Sequence, residues 1–145
     1  MSIILFDAAL VIARLTAQVS AFRKVAGAAD YAAAAPELKQ TPAAFVLSLA
    51  DRAGRSSTGT MVVSQEMEAR FGVIFAVQNL RDARGQQAGA DLLALRIAVM
   101  TALLGWQPAS DYDPCEYGAG RLLQLDDAVL WWQDDYVTRI LNRSV

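Results

Sequence analysis

The sequence of 145 residues contains no histidine and only one cysteine, Cys115. The commonest general base is therefore absent, together with the Ser-His and Cys-His nucleophile pairs of many hydrolases. One cysteine cannot form an intrachain disulfide, and no imidazole or second thiolate is present to complete a zinc site. We therefore predict no metal or other cofactor and no enzymatic activity, and we expect Cys115 to be a small packed residue in a reducing compartment.

The sequence also lacks a large excess of positive or negative charge, because 13 basic and 15 acidic residues leave a net charge of −2. A nucleic-acid-binding domain normally carries a basic surface, so specific DNA or RNA binding is not expected. The early apolar run from Ile3 to Ile12 is interrupted by Asp7 and is too short to cross a bilayer, which predicts neither a signal peptide nor a membrane anchor. Gly85 and Gly89 match no phosphate-binding motif.

Apolar residues, in contrast, make up 54% of the chain, and much of the excess is alanine. A chain of this length fits a single domain, residues 1–145, that buries roughly two-thirds of its unfolded surface. Two interpretations of the apolar excess remain open. It belongs either to an alanine-rich monomer core or to the extra apolar surface of a subunit in an oligomer.

The run from Ala88 to Trp106 predicts a central helix against which a sheet packs. Its apolar residues form two stripes at helical spacing, one of Leu92, Leu95, Val99 and Leu103 and the other of Leu93, Ile97, Met100 and Leu104. Only Asp91, Arg96 and Thr101 interrupt this apolar surface. Such a helix is normally buried on more than one side, either within its domain or against a partner.

The remaining periodicity predicts an α+β fold, with an antiparallel or mixed sheet of about five strands flanked by two main helices. The predicted elements are a helix over Phe6 to Phe22, a short strand over Arg23 to Ala26, a short helix over Tyr31 to Ala35, strands over Ala43 to Ala50 and Thr60 to Gln78, the central helix, and a hairpin of Arg121 to Leu125 with Val129 to Asn142. Gln65 to Glu68 is expected to bulge or to form an exposed strand end. Asp51 to Thr60 is predicted to be a flexible loop, either a solvated connection or an arm that orders on a partner.

The last predicted strand carries aromatic groups on both faces, because Trp131 and Trp132 are consecutive. We therefore expect both faces to be covered, with a neighbouring subunit as one natural cover. Asp134 and Asp135 also point in opposite directions, so they do not form a catalytic carboxylate pair. Arg121 and Arg139 are expected to pair with these acids across the hairpin or to contact an adjacent subunit.

Residues 40 to 142 contain a set of short motifs in a fixed order. These motifs are V-x-N-x-R-D-x-x-G at Val77 to Gly85, the apolar helix, G-W-x-P from Gly105 followed by Tyr112, Pro114 and Tyr117, G-R-L at Gly120 to Leu122, and W-x-D-x-Y-x-T at Trp132 to Thr138. By their order and spacing together, and not by any single motif, they resemble the tail terminator proteins of long-tailed bacteriophages. The alanine-rich segment Ala26 to Ala35 carries no motif of this family.

The resemblance implies a structural subunit of a ring, six-fold in this family, at the head-proximal end of the tail tube in the virion. Such a ring would assemble in the host bacterial cytoplasm, end tube polymerisation, and contact the tail tube protein and the head-tail connector proteins, with DNA only passing through its lumen. The alternatives are another head-tail connector or tail completion protein, or a small enzyme in which acidic residues converge with Tyr112 or Tyr117. The candidate residues for subunit or tube contacts are Arg52, Arg55, Arg81, Asp82, Arg84, Trp106, Arg121, Trp131, Trp132, Asp134, Tyr136 and Arg139.

Overall fold

The computed structural model describes residues 3–34, 40–78, 86–125 and 128–144, which form an α+β fold. The elements within these ranges are α1 (Ala8–Gln18), β1 (Lys24–Ala26), α2 (Ala28–Ala34), β2 (Ala43–Ala53), β3 (Ser64–Gln78), α3 (Gln86–Leu103), β4 (Glu116–Leu125) and β5 (Val129–Arg143). Both the predicted fold class and the predicted order of helices and strands are confirmed. None of the described helices is long and apolar enough to cross a membrane.

The five strands form one mixed sheet in the order β1-β2-β3-β5-β4. β1 runs parallel to β2, and the other neighbouring strands are antiparallel. β3 and β5 pair without interruption from Ser64 opposite Arg143 to Gln78 opposite Val129. Of the two alternatives for Gln65 to Glu68, the bulge is therefore wrong, and the segment instead lies at the end of the long strand β3. The irregularity between β2 and β3 lies between Ser48 and Ala50 on β2.

Both main helices cover the same side of the sheet, which we call the helix face. Its core combines β3 and β5 with α1 and α3, through the buried side chains of Phe71, Val73, Phe75, Val77, Leu130, Tyr136, Val11, Leu15, Leu92, Leu95, Val99 and Leu103. The opposite side, the second face, holds a smaller core in which Tyr31 of α2 packs against Phe45 and Trp131. The alternation predicted for β3 and β5 is thus confirmed, and each face receives one of the two consecutive tryptophans.

The first helix is shorter than the predicted Phe6 to Phe22. Asp7 caps it by accepting a hydrogen bond from the Ala9 backbone N–H at 3.0 Å, and the helix ends at Gln18 with Val19 as its C-cap. A side-chain cap of this kind satisfies one of the free N–H groups that every helix start exposes. Arg14 points inward, where its Nε donates to the Ala102 carbonyl at 3.1 Å and its guanidinium lies over the Trp106 ring.

The central helix α3 buries only one of its two apolar stripes. Leu92, Leu95, Val99 and Leu103 are buried, whereas Leu93, Ile97 and Leu104 are more than half exposed. Gly105 ends the helix with a φ of +76°, a conformation that glycine adopts without steric cost, and its N–H donates to the Cys115 carbonyl at 2.8 Å. The helix is therefore covered on one side by its own domain and open on the other.

Three predicted boundaries are wrong, namely the end of β2, the start of β3 and the start of α2. β2 continues through Asp51 to Ala53 and β3 begins at Ser64, so the connection spans residues 54–63 and not Asp51 to Thr60. The polar residues Asp51 and Arg52 remain in the strand because their backbones pair with β3. α2 likewise begins at Ala28, three residues before the predicted Tyr31.

Candidate functional site

The most tightly organised polar site is centred on Asp134, whose side chain is fully buried on the helix face. Arg96 binds its carboxylate with two nitrogens, Nε at 2.8 Å from Oδ2 and Nη2 at 3.1 Å from Oδ1. The Trp132 Nε1 and the Tyr117 hydroxyl both donate to Oδ1, at 2.8 and 3.1 Å. We call these four residues the Asp134 cluster.

The cluster joins three elements of the fold. Arg96 comes from α3, Tyr117 from β4, and Trp132 and Asp134 from β5. The guanidinium also lies over the Trp132 ring, 4.6 Å from its centroid. Because charges lose solvation on burial, such a pair is tolerated only where several good hydrogen bonds compensate for that loss. The cluster therefore connects α3 to the β4–β5 hairpin.

The protonation of the cluster suits this structural role. The hydrogen bond to Asp134 raises the pKa of Arg96, although burial partly opposes the shift. Burial also raises the pKa of Tyr117, and the charge of Asp134 raises it further. Arg96 is therefore a permanent cation and Tyr117 a neutral hydrogen-bond donor at physiological pH.

Gly120 lies directly beside this cluster. A Cβ atom at this position would stand 2.5 Å from Asp134 Oδ1 and would also overlap the Tyr117 hydroxyl. Gly120 pairs with Asp134 across the β4–β5 hairpin, so the absence of a side chain allows the carboxylate to turn toward Arg96. The glycine of the G-R-L motif is thus explained by packing.

Tyr136 is buried next to the cluster but does not join its hydrogen bonds. Its ring packs against Phe71 and Tyr117, with centroids 5.7 and 5.6 Å apart. Burial, followed by the charge of Asp134, raises the pKa of Tyr136. Its hydroxyl has no hydrogen-bond partner among the described residues, so it contributes a desolvation cost that no bond offsets.

Tyr136→Phe is therefore expected to raise the free energy of unfolding by about 1 kcal/mol, because it removes an unsatisfied buried hydroxyl. Tyr117→Phe is the matched control. This substitution removes a donor to a buried carboxylate, so we expect it to lower the free energy of unfolding by about 2 kcal/mol. Urea unfolding followed by tryptophan fluorescence measures both values. Equal losses in the two variants would contradict this account of the cluster.

On the second face, Asp135 forms a separate polar group. Its carboxylate accepts a hydrogen bond from Gln133 Nε2 at 2.7 Å and lies 3.4 Å from Arg121 Nη1 and 3.8 Å from Arg70 Nη1. Asp134 and Asp135 thus point to opposite faces, as predicted, and Arg121 pairs with one of them.

Arg139 does not pair with either aspartate, so the first of the two alternatives expected for it is wrong, and its contact with an adjacent subunit stays a prediction. Its Nη1 lies 2.9 Å from Glu116 Oε1, and Glu68 and Glu66 lie 3.6 and 3.9 Å from other guanidinium nitrogens. The hydrogen bond to Glu116 is the main cause of the raised pKa of Arg139. The register also places Arg52 opposite Glu68. This part of the second face therefore carries alternating charges without an excess of one sign.

The structure brings some of the candidate residues together and separates others. Trp132, Asp134 and Tyr136 converge beneath α3, while Arg121 and Arg139 lie on the second face. Trp131 is buried in the smaller core, and Trp106 is half-buried beneath Arg14. Arg52 lies on β2 and Arg55 is exposed in the 54–63 connection, whereas Arg81, Asp82 and Arg84 lie outside the described residues.

Three residues of the site were missed from the sequence: Arg96, Tyr117 and Gly120. A signal was present for the first, because Arg96 is the only basic residue in α3 and interrupts an apolar helix. A charge in such a position requires a partner, and Asp134 is that partner. Tyr117 was considered only in the catalytic alternative, and Gly120 stood in the G-R-L motif of the resemblance without any assigned contact.

The catalytic alternative required acidic residues converging with Tyr112 or Tyr117. Tyr112 donates to the Leu5 carbonyl at 2.8 Å and accepts from the Asp7 N–H, so it holds the N-terminal segment. Tyr117 does meet an acid, but Asp134 has no exposed surface.

In the described part of the chain, no three acidic or cysteine side chains form a group that could hold a metal ion. Cys115 is buried, as predicted, and burial raises the pKa of its thiol to about 12.

Exposed apolar side chains remain on α3 and β4. We call Leu93, Ile97, Met100 and Leu104 the α3 stripe; its last three residues, with Thr101, line a shallow depression. On β4, Leu122 and Leu125 are also about half exposed. Contiguous apolar surface of this kind marks a site of contact with another molecule.

Comparison with known proteins gives one clear relationship. No curated protein sequence matches the chain. The sequence profile of the phage tail terminator protein family matches residues 1–144, so the chain belongs to this family of structural proteins that complete the phage tail.

Proposed function

We propose that this protein forms a ring of identical subunits, six-fold as the resemblance implies, that caps the head-proximal end of the tail tube of a long-tailed phage. Its family places it among structural components of the virion tail that interact with other tail and head components. The observation that carries the proposal is the exposed α3 stripe, because a tail subunit with a half-exposed apolar helix face requires a protein partner.

A cap must present two unlike surfaces, one that joins the last tube ring and one that accepts no further tube subunit. The 54–63 connection is our candidate for the tube contact. It carries Met61, which is 98% exposed, on a turn held by the Ser57 N–H bond to the Ser64 carbonyl at 2.8 Å. Arg55 lies in the same connection. The opposite side of the ring would receive the head-tail connector proteins.

The charge of the chain suits a ring that lets DNA pass. Because each subunit has a net charge of −2, the ring would not bind tightly to a polyanion that moves through its lumen. The same ring would assemble in the host bacterial cytoplasm before the head joins the tail.

Native mass spectrometry of the purified chain, with and without isolated tail tubes, tests this proposal. We expect a closed ring, either in solution or at the tube end, and we expect capped tubes not to elongate when tube protein monomers are added. Uncapped tubes from the same preparation are the control. A persistent monomer in both conditions would refute the proposal, and a ring that leaves tube elongation unchanged would favour a connector or another tail completion protein.

A further inference from the structure

The outward faces of the two main helices carry almost no charge. The exposed residues of α1 are small or uncharged, namely Ala9, Ala13, Thr16, Ala17 and Gln18. Arg14 is the only ionisable residue within α1, and it points inward to the Ala102 carbonyl. Helices that face water normally carry charged and polar side chains on the outside, so the composition of α1 is typical of a helix that is covered.

The α3 stripe has the complementary character, with large apolar side chains in place of small ones. Leu93, Ile97 and Leu104 are 55%, 59% and 55% exposed. Small residues on one helix let the bulky side chains of another approach its backbone closely, which is a favourable combination for helix packing. The two faces are therefore unlike and suited to each other.

These two faces lie toward opposite edges of the sheet. α1 contacts β1 and β2, at one edge. α3 contacts β3 and reaches β5 through Arg96, and no helix among the described residues covers β4 at the other edge. Leu122 pairs with Trp132, so its side chain lies on the helix face, where it is half exposed. The helix face of β4 thus stays partly exposed beside α3.

We propose that this exposed surface is covered by α1 of a second copy of the chain, which packs against the α3 stripe in a head-to-tail contact. The inference rests on the proposed ring. If the α3 stripe of one subunit packed against the α3 stripe of another, the contact would form a closed two-fold dimer. A contact between unlike surfaces at opposite edges of the sheet instead repeats around a ring. A specific interface buries about 800 Å² on each partner, so we expect the exposed leucines of β4 to share the contact.

Cross-linking between two variants that each carry one added cysteine tests this pairing. Ala13→Cys on α1 and Ile97→Cys on α3 are mixed, allowed to assemble and oxidised. We expect a disulfide-linked dimer from the mixture and from neither variant alone. The native Cys115 is 1% exposed and does not compete. A mixture of Ala13→Cys with Leu141→Cys is the control, because Leu141 is as exposed as Ile97 but lies on the second face.

A second measurement compares Ile97→Lys with Leu141→Lys, two substitutions at side chains that are each 59% exposed. We expect Ile97→Lys to leave a folded monomer by circular dichroism and native mass spectrometry, and Leu141→Lys to keep the ring. A ring that persists in Ile97→Lys, with or without loss of tube binding, would overturn the pairing and leave the capping proposal intact. Cross-linking of Ala13→Cys with itself would also overturn it, and absence of any ring in the unmodified chain would refute both proposals.

Discussion

Asp134→Ala is expected to lower the free energy of unfolding by about 3 to 5 kcal/mol, the usual cost of removing one partner from a buried ion pair. The loss is large because three donors depend on this carboxylate: the Arg96 guanidinium, the Trp132 indole and the Tyr117 hydroxyl. Arg96 is only 25% exposed, so its charge cannot fully return to water. Urea unfolding at neutral pH measures the change.

Asp135→Ala is the matched control, since it removes the same group one residue along β5. Its arginine partners are 38% and 55% exposed and stay solvated, so we expect a smaller loss of about 1 to 2 kcal/mol, mainly because the buried Gln133 amide loses its acceptor. The double variant Asp134→Ala with Arg96→Met should recover much of the loss, because no unpaired buried charge remains. Equal losses of unfolding free energy in the Asp134 and Asp135 variants would show that the ion pair with Arg96 does not cause the destabilisation.

Gly120→Ala is expected to destabilise the protein by about 3 kcal/mol, because overpacking and a disturbed hydrogen-bond network act together. The added Cβ would lie 2.5 Å from Asp134 Oδ1 and 3.2 Å from a carbon of the Trp132 ring. Either the carboxylate moves away from Arg96 or β4 shifts along the sheet edge. Thermal unfolding of the variant measures the loss.

Gly89→Ala provides the comparison for Gly120. Gly89 lies on α3, and a Cβ there would meet no atom within 4 Å. Alanine favours the helix by about 1 kcal/mol over glycine, so this variant is expected to be more stable than the parent. A similar destabilisation in both glycine variants would contradict the role of Gly120 in the Asp134 cluster.

Much of the fold could be predicted because side-chain direction follows from local spacing. The two apolar stripes of α3 and the two faces of β3 and β5 are all read from the period of their own segments, although the period does not tell which stripe of α3 is buried. The boundaries failed where a polar segment pairs with a distant strand. Asp51 belongs to β2 because Ala69 stands opposite to it, and nothing in the local sequence indicates that partner.

The site was less predictable than the fold. The partners considered for Asp134 within the chain were Arg121 and Arg139 of its own hairpin, with contact to an adjacent subunit as their alternative, but its partner is Arg96, 38 residues away in the chain. Alternation along β5 turns Asp134 toward α3 and Asp135 toward Arg121, so consecutive residues belong to different networks. The pairing depends on which helix covers the helix face, and local periodicity carries no such information.

Residue types and their spacing within one segment were sufficient to predict the element types, the two apolar stripes of α3, the packed state of Cys115 and the motif order typical of the tail terminator family. The three-dimensional packing of the chain was needed to show that both main helices share one face, that Arg96 meets Asp134 beside Gly120, and that only one of the two stripes of α3 is buried. These depend on the packing of segments distant in sequence, where burial and charge compensation select among alternatives that are locally equivalent.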